Sequence, residues 1–227
     1  MDADSAKKTG GLRSNSLVQA WLVLVLAVGF GVSLAGVQIA LGPVIEQNKI
    51  NETLEKLPEL VLGSELAAKM ASQDQNLDIV PRQVEVQKAA RSKFYSVYEA
   101  RYQDERKGWV VKTKGQGYAD TIELLLGLSP DLSTITGLFV LDQKETPGLG
   151  NKIITDQWRG QFIDAPADGN LVVVKTGKTQ PGQIDAVTGA TISSKSVTAL
   201  VNAAISDVRP PLTDGAAADG KGDKKNG

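Results

Sequence analysis

The hydrophobic and polar positions divide the chain into one long apolar run and a longer mixed region. No charged residue lies between Arg13 and Glu46, and residues 17–41 are apolar almost throughout. About 20 helical residues cross the ~30 Å hydrocarbon core of a bilayer, so this run predicts one transmembrane helix. A cleaved signal peptide is the alternative, because residues 33–35 resemble a cleavage site. Its apolar region would be only about 7–15 residues long, so we expect a retained anchor.

Cations flank the apolar run unevenly. Lys7, Lys8 and Arg13 precede it closely, whereas the first cation after it is Lys49. Positive residues near a span favour the cytoplasmic side. We therefore expect a cytoplasmic tail over residues 1–16 and an exported C-terminal domain.

The mixed region predicts a connecting segment and then one domain. The spacing of Ile50, Leu54 and Leu57 predicts a helix over Val44–Leu57 that ends before Pro58, within a helical connecting segment over 42–92. Apolar and polar residues then alternate in the manner of strands. The predicted strands cover 94–102, 109–114, 122–128, 135–141 and 171–175, with a short helix near 151–161.

The final apolar pattern is helical. Its apolar residues recur at i, i+3, i+4, i+7, i+8 and i+11, a stripe that would cover a sheet; they are Val197, Leu200, Val201, Ala204, Ile205 and Val208. We expect Pro210-Pro211 to end this helix and residues 210–227 to be a disordered tail. The predicted fold is α+β: one transmembrane helix followed by a single domain over 93–209, with an antiparallel-rich sheet and flanking helices.

Composition narrows the chemistry. The 227 residues include no cysteine and no histidine, and the net charge is -1. Thiolate chemistry, iron–sulfur clusters and imidazole catalysis are therefore excluded, and we expect no metal site and no catalytic side chain. A near-neutral charge argues against nucleic-acid binding. If the protein carries out redox chemistry, an organic cofactor must supply it.

Two short segments are candidates for a cofactor site. Residues 185–191, Asp-Ala-Val-Thr-Gly-Ala-Thr, precede the final helix, so Thr191 lies at a helix N-terminus that favours anions, above all phosphate. Ordinary capping by the Thr191 hydroxyl is the alternative. Residues 145–150, Glu-Thr-Pro-Gly-Leu-Gly, suit a type II turn with open backbone groups.

These two segments, in this order and about 40 residues apart, resemble the covalent-flavin domain of bacterial electron-transport complexes. The chain is similar to the G subunits of the Rnf (or Rsx) complexes, and more distantly to the C subunits of sodium-translocating NADH:quinone oxidoreductases. The resemblance extends over nearly the whole chain. It implies covalent FMN, with its phosphate esterified to Thr191.

The resemblance also implies roles for further residues. Those expected to border the cofactor are Glu145, Thr146, Gly148, Leu149, Thr188, Gly189 and Ala190. A flavin transferase is expected to recognise Asp185, Thr188, Gly189, Ala190 and Thr191. Relatives often carry histidine where this chain has Gln143. Since glutamine does not titrate, we infer that no proton chemistry depends on that position.

The function implied by this resemblance is electron relay. The chain would be a membrane-anchored flavoprotein subunit of an ion-translocating ferredoxin:NAD oxidoreductase in the bacterial cytoplasmic membrane, with its flavin domain on the outer side. Its partners would be the other membrane subunits and the flavin transferase, and no complete activity is expected in isolation. The alternatives are the C-type subunit of the quinone reductase and, in another class, an exported scaffold without redox function.

Overall fold

The computed structural model describes residues 16–88 and 91–219. It divides into two compact units at Ile50 and Asn51. In the first unit, helix α1 begins at Ser16, and the whole helix extends over Ser16–Leu62. The apolar side chains of its N-terminal part are exposed. By length and composition this helix can cross a membrane, and within the described residues it is the one such helix.

The second unit is built on an antiparallel sheet of five strands. The strands follow each other in chain order, β1-β2-β3-β4-β5, each paired with the next. Their bounds are Asp78–Lys88, Arg91–Tyr102, Glu105–Gln116, Thr121–Leu128 and Ile135–Asp142. The α+β class and the antiparallel sheet are thus confirmed.

Different elements cover the two faces of the sheet. Helix α4, Thr191–Asp219, packs on the larger core, with Val197, Val201 and Ala204 fully buried. This core also contains the connection after β5: 3₁₀ helices at Gly150–Ile154 and Gly160–Phe162, helix α3 at Asp156–Arg159, and the parallel strands β6, Val172–Val174, and β7, Gln183–Asp185. The predicted amphipathic stripe of the last helix is confirmed.

Glycines on three adjacent strands receive the end of α1 on the opposite face. A Cβ on Gly108 or Gly137 would lie 2.9 Å from a side-chain carbon of Val61 or Leu60, and one on Gly127 only 2.4 Å from the Leu60 carbonyl oxygen. The Thr136 hydroxyl donates to that carbonyl at 2.6 Å. Because these three positions carry no side chain, the helix backbone can approach the sheet closely there.

Two predictions for the connecting segment are wrong. Pro58 does not end a helix, because α1 continues to Leu62; Leu60 and Val61 are buried against the sheet, and this packing outweighs the missing backbone donor. Residues 78–88 are not helical but form the edge strand β1, with α2 at Ser64–Ser72 preceding it. The polar character of this strand hid it, as is usual for an edge.

The prediction that Pro210-Pro211 ends the last helix is also wrong. Helix α4 contains both prolines and extends to Asp219. Leu212 is buried and lies one turn after Val208, so the apolar stripe continues through the prolines. Residues 210–219 are therefore helical rather than part of the expected tail. Residues 1–15 and 220–227, where the cytoplasmic tail, its cations and the rest of the C-terminal tail were predicted, lie outside the described residues.

A buried acid anchors one end of the sheet. Glu99 is fully buried on β2, where its Oε1 accepts from Nε of Arg101 at 2.9 Å and of Arg106 at 2.7 Å. Its Oε2 lies 2.7 Å from Nη2 of Arg82, and Arg82 and Arg106 both lie over the Trp109 ring. Burial alone would raise the pKa of Glu99, but the hydrogen bonds from Arg106 and Arg101 outweigh it and lower that pKa.

We expect the substitution Glu99→Gln to destabilise the domain and to reduce its sensitivity to acid. Because the folded pKa lies below the unfolded one, the stabilisation by Glu99 is present above an unfolded pKa of about 4.3 and is lost as pH falls through the folded pKa. Removing the buried charge that three half-buried arginines share costs about 3 kcal/mol at neutral pH. Denaturant unfolding of the full chain in detergent, followed by tryptophan fluorescence between pH 3 and 7, measures both effects.

The matched control for this prediction is Glu105→Gln, which removes an exposed acid paired with Lys107 in the same hairpin. Its effect should stay within about 0.5 kcal/mol. The account would be contradicted if both variants lost the same free energy of unfolding. It would also be contradicted if the free energy of unfolding of Glu99→Gln fell with decreasing pH as steeply as that of the wild type.

Candidate functional site

The turn before α4 is fixed by side chains from the connection after β5. The Trp158 indole donates to the Asp185 carbonyl at 2.8 Å, and the Gln161 side chain accepts from the Asp185 N–H at 2.8 Å. The Asp185 carboxylate accepts the Lys178 N–H at 3.0 Å. The Ser194 hydroxyl, within α4, accepts the Val187 N–H at 3.0 Å. Backbone and side-chain contacts therefore hold both ends of the 185–191 segment.

Helix α4 begins at Thr191 with an open N-terminus. The Ser194 N–H donates to the Ala190 carbonyl at 3.1 Å, which is the first hydrogen bond of the helix. The N–H groups before it have no carbonyl within the helix to which they could donate. Gly189, with φ of +80°, makes the sharp turn that leads into them. The N-terminus therefore presents donors and the positive end of the helix dipole.

The Thr191 side chain is exposed at this N-terminus. Among the described residues, its hydroxyl makes no hydrogen bond, so it does not cap the helix in the way the alternative interpretation required. The nearby hydroxyls of Ser193 and Ser194 are instead used inside the protein. Thr188 of the same turn is also exposed, but it does not line the cleft described below, so Thr191 is the exposed hydroxyl at the helix N-terminus that remains available to a reagent there.

The second candidate segment forms the predicted turn. Gly148 has φ of +76°, and the Leu149 N–H donates to the Thr146 carbonyl at 3.2 Å, as in a type II turn. The Asn151 side chain accepts the Gly148 N–H at 2.8 Å. The side-chain oxygen of Gln143 accepts the Glu145 N–H at 2.7 Å. Gln143 therefore serves as an acceptor for the loop backbone, a role that requires no titration.

Glu145 lies beneath the turn and joins it to two other segments. Its side chain is only 4 % exposed. Oε1 accepts the N–H groups of Tyr118 at 2.9 Å and Ala119 at 3.1 Å, and Oε2 accepts the Ser193 hydroxyl at 2.5 Å. A single carboxylate thus links the β3–β4 connection, the 145–150 loop and the first turn of α4.

These three segments enclose a cleft of about 520 Å³. Its lining comprises Tyr118, Thr146, Leu149, Gly150, Gly189, Ala190, Thr191, Ile192 and Ser193. Tyr118, Leu149 and Ile192 are 62 %, 45 % and 57 % exposed, an unusual set of apolar and aromatic side chains to leave in water. The cleft therefore combines an apolar rim with the donors of a helix N-terminus.

The cleft contains some of the residues predicted for the site but not all. Thr146, Leu149, Gly189, Ala190 and Thr191 line it. The other four, Glu145, Gly148, Thr188 and Asp185, are not among its lining residues. Glu145 is buried under it, and Asp185 is held in the preceding strand. The cofactor and transferase roles assigned to all these residues remain predictions.

Sequence reasoning missed one wall of the cleft. Tyr118 follows β3 and gives no local signal, because a single tyrosine between strands is ordinary in sequence. Gly117 carries the only available hint: a Cβ there would lie 2.4 Å from Oε1 of Glu145 and 2.7 Å from the Asp120 carbonyl. Ile192 was not singled out from the sequence, and Ser193 was interpreted only as a further donor near Thr191.

Residues 117–206 match the family of the FMN-binding domain. This range begins at the glycine beside Tyr118 and includes every lining residue of the cleft. This part of the chain is therefore similar to the FMN-binding domain family. The matched range contains both sequence motifs and the first part of the helix that begins at Thr191.

The chain is also similar to proteins of ion-translocating complexes. It is 46 % identical over 99 residues to the G subunit of an ion-translocating oxidoreductase complex of Methanosarcina acetivorans, covering 43 % of this chain and 50 % of the relative. It is 43 % identical over 111 residues to the G subunit of the Na(+)-translocating ferredoxin:NAD(+) oxidoreductase complex of Acetobacterium woodii, covering 48 % and 53 %. The chain thus spans about half the length of the curated relatives it matches.

A solved structure shares the fold. The crystal structure of the C subunit of a Na(+)-translocating NADH-quinone reductase from Parabacteroides distasonis superposes with a TM-score of 0.55 at 20 % identity. The match covers 75 % of this chain and 96 % of that one. It supports the arrangement of sheet and helices.

The residues of the cleft fit FMN. Its volume lies within the range of about 300–1,000 Å³ that small-molecule sites occupy. The open N–H groups before Ser194 suit a phosphate, and the exposed Tyr118, Leu149 and Ile192 suit a flat aromatic ring. Within the described residues, no cluster of acids suits a metal ion.

We expect the substitution Gly189→Ala to distort the cleft more than Gly148→Ala does. Both glycines have positive φ, but a Cβ on Gly189 would lie 2.9 Å from Cδ2 of Leu149, whereas one on Gly148 meets open space. Backbone strain costs about 1 kcal/mol at either position, and only at Gly189 must the exposed Leu149 side chain also move. Crystal structures of the two variants measure this displacement, and an unmoved Leu149 in Gly189→Ala would refute the close approach.

Proposed function

We propose that this protein is a membrane-anchored flavoprotein subunit that relays electrons through FMN attached covalently to Thr191. It would act within an ion-translocating ferredoxin:NAD oxidoreductase complex of the Rnf type. The FMN-binding domain family and the two G-subunit relatives support the cofactor and the type of complex. A redox role within such a complex is consistent with the lack of cysteine and histidine.

One observation carries the covalent attachment to this particular residue. Thr191 presents an exposed hydroxyl with no protein partner among the described residues, at the N-terminus of a 29-residue helix and in the wall of the cleft. The neighbouring hydroxyls of Ser193 and Ser194 are buried and engaged. Thr188 is also exposed but does not line the cleft, so within residues 185–194 Thr191 is the exposed hydroxyl that a transferase would meet in the cleft wall.

The protein's residues would hold and orient the cofactor. When bound, FMN supplies one- and two-electron redox chemistry that no side chain of this protein can provide. The helix N-terminus would stabilise the phosphodiester by about 0.3–1 kcal/mol. Tyr118 and Leu149 would exclude water from the ring and orient it. Ester attachment would prevent the loss of flavin from an exported domain.

We expect Thr191→Ala to abolish flavin attachment. Full-length protein coexpressed with a flavin transferase should give a fluorescent band in a denaturing gel, because only a covalent flavin survives denaturation. The Thr191→Ala band should be dark. Thr213→Ala, which removes another exposed hydroxyl of α4, should stay as bright as the wild type. A fluorescent Thr191→Ala band would refute the assignment.

We further propose that the flavin domain lies on the outer side of the cytoplasmic membrane, with the N-terminal tail inside. The apolar helix and the membrane-complex relatives fit a membrane anchor. The cations before the helix support this orientation. The partners would be the other membrane subunits of the complex and, during maturation, the flavin transferase.

The cysteine-free sequence makes this orientation directly testable. Asp168→Cys places a thiol on an exposed loop of the domain, and Ser5→Cys places one in the N-terminal tail. In spheroplasts, a membrane-impermeant maleimide should label Asp168→Cys at once and Ser5→Cys only after permeabilisation. The reverse pattern would refute the proposed orientation.

The C-type subunit of the sodium-translocating NADH:quinone oxidoreductase is the alternative assignment, because such a protein has the same fold. Fold similarity does not distinguish the two complexes, whereas the 43–46 % identity to the G subunits favours the Rnf type. Purification of the tagged full chain from its native membrane decides, because the two complexes have partner subunits of different mass and cofactor content. A colourless protein of unmodified mass would instead support the other alternative, an exported scaffold without redox function.

A further inference from the structure

Glu145 makes contacts that its place in the loop motif did not predict. Its carboxylate is buried beneath the cleft and is absent from the cleft lining. An ionised carboxylate only accepts hydrogen bonds. Its two oxygens already accept from three protein donors: Tyr118 N–H, Ala119 N–H and Ser193 O–H. The side chain is thus committed to the protein rather than to a ligand.

Two glycines allow the three segments to meet at this carboxylate. A Cβ on Gly150 would lie 2.9 Å from Oε2 of Glu145 and 2.9 Å from Oγ of Ser193. A Cβ on Gly117 would lie 2.4 Å from Oε1. Side chains at either position would therefore separate the segments. The lack of a side chain at Gly117 and at Gly150 therefore makes room for the Glu145 carboxylate between the segments.

The contacts of Glu145 lie next to the residues that face the cleft. Ser193 lies two residues after Thr191 in the first turn of α4, and Tyr118, whose N–H is bonded to Oε1, is itself a lining residue of the cleft. Oε1 therefore holds the Tyr118 side of the cleft, and Oε2 holds the Thr191 side. Loss of either contact frees one wall relative to the other.

We infer that Glu145 is a positioning residue, which acts through Ser193 and the Tyr118 backbone to hold Thr191 in the geometry that flavin attachment requires. This inference rests on the proposed function. It assigns the Glu145–Ser193 pair a role in maturation of the site, and it removes the Glu145 side chain from the expected direct contacts with the flavin.

The test compares four variants of the full chain coexpressed with the flavin transferase. Glu145→Met keeps the length of the side chain but accepts no N–H or O–H hydrogen bond of comparable strength, and Ser193→Ala leaves Oε2 without its donor. Glu145→Gln retains an oxygen for the two N–H groups and an amide that can donate to Ser193. Thr198→Val is the matched control, because it removes another buried hydroxyl of α4, bonded to the Ser194 carbonyl at 2.9 Å.

Two readouts are recorded for each variant: the fraction of chains that carry the FMN mass, and amide hydrogen exchange over residues 117–119 and 191–195. Attachment should fall about tenfold or more in Glu145→Met and Ser193→Ala, because each leaves buried groups unsatisfied. Glu145→Gln should be intermediate, and Thr198→Val should match the wild type. Exchange should be faster in both segments in Glu145→Met, and over residues 191–195 in Ser193→Ala.

The outcomes separate this inference from the proposed function. If the wild-type protein acquires no FMN, the proposed function fails, and hydrogen exchange alone decides whether Glu145 holds the two walls. The inference is overturned if Glu145→Met and Ser193→Ala attach flavin and exchange like the wild type. It is also overturned if Thr198→Val loses as much attachment as Ser193→Ala, since a general loss of stability would then explain the effect.

Discussion

The first N–H groups of a helix have no carbonyl within that helix to accept their hydrogen bonds, and the candidate site is organised around this deficit in α4. The helix begins at Thr191, after a glycine with positive φ, and its first internal hydrogen bond comes from Ser194. Most of α4 is fixed by its apolar stripe on the sheet. Because the sheet sets the position of the helix, it also sets the position of these donors.

The site joins segments that are distant in sequence. Glu145 and Ser193 are separated by 48 positions, and the Tyr118 N–H lies 27 positions before Glu145. A meander of five strands brings these segments to one region of the domain, since β3 ends and β4 begins beside the loop that follows β5. Where these segments meet, the Glu145 carboxylate accepts hydrogen bonds from the Tyr118 and Ala119 N–H groups and from the Ser193 hydroxyl. The proposed attachment site would thus be coupled to the fold through one buried side chain.

Local signals allowed the sequence to predict part of this structure. Strand alternation identified β2 to β5, and the helical stripe from Val197 to Val208 identified α4. The prolines at 58 and 210–211 were misread because burial of Leu60 and Leu212 outweighs the local cost of proline. Strand β1 is polar, and β6 and β7 have only three residues each, so periodicity could not reveal their pairing.

In the site, too, local features could be predicted from the sequence, whereas tertiary contacts could not. Residues 145–150 and 185–191 could be recognised because each is a contiguous motif, and the type II turn and the helix start both followed from local chemistry. Tyr118 could not be recognised, because its role arises only from tertiary contact. The partners of the Glu145 carboxylate were equally hidden, since a sequence motif indicates that a residue matters but does not indicate which way its side chain points.

The central claim is that a flavin is esterified to one threonine at the N-terminus of α4. Tandem mass spectrometry of the tryptic peptide 179–195, from wild-type protein isolated from its native membrane, tests this claim most directly. The peptide contains Thr179, Thr188, Thr191, Ser193 and Ser194, so fragment ions distinguish every possible hydroxyl. The account predicts an adduct with the mass of FMN less one water on Thr191 alone. An unmodified peptide, or an adduct on any of the other four hydroxyls, would contradict it.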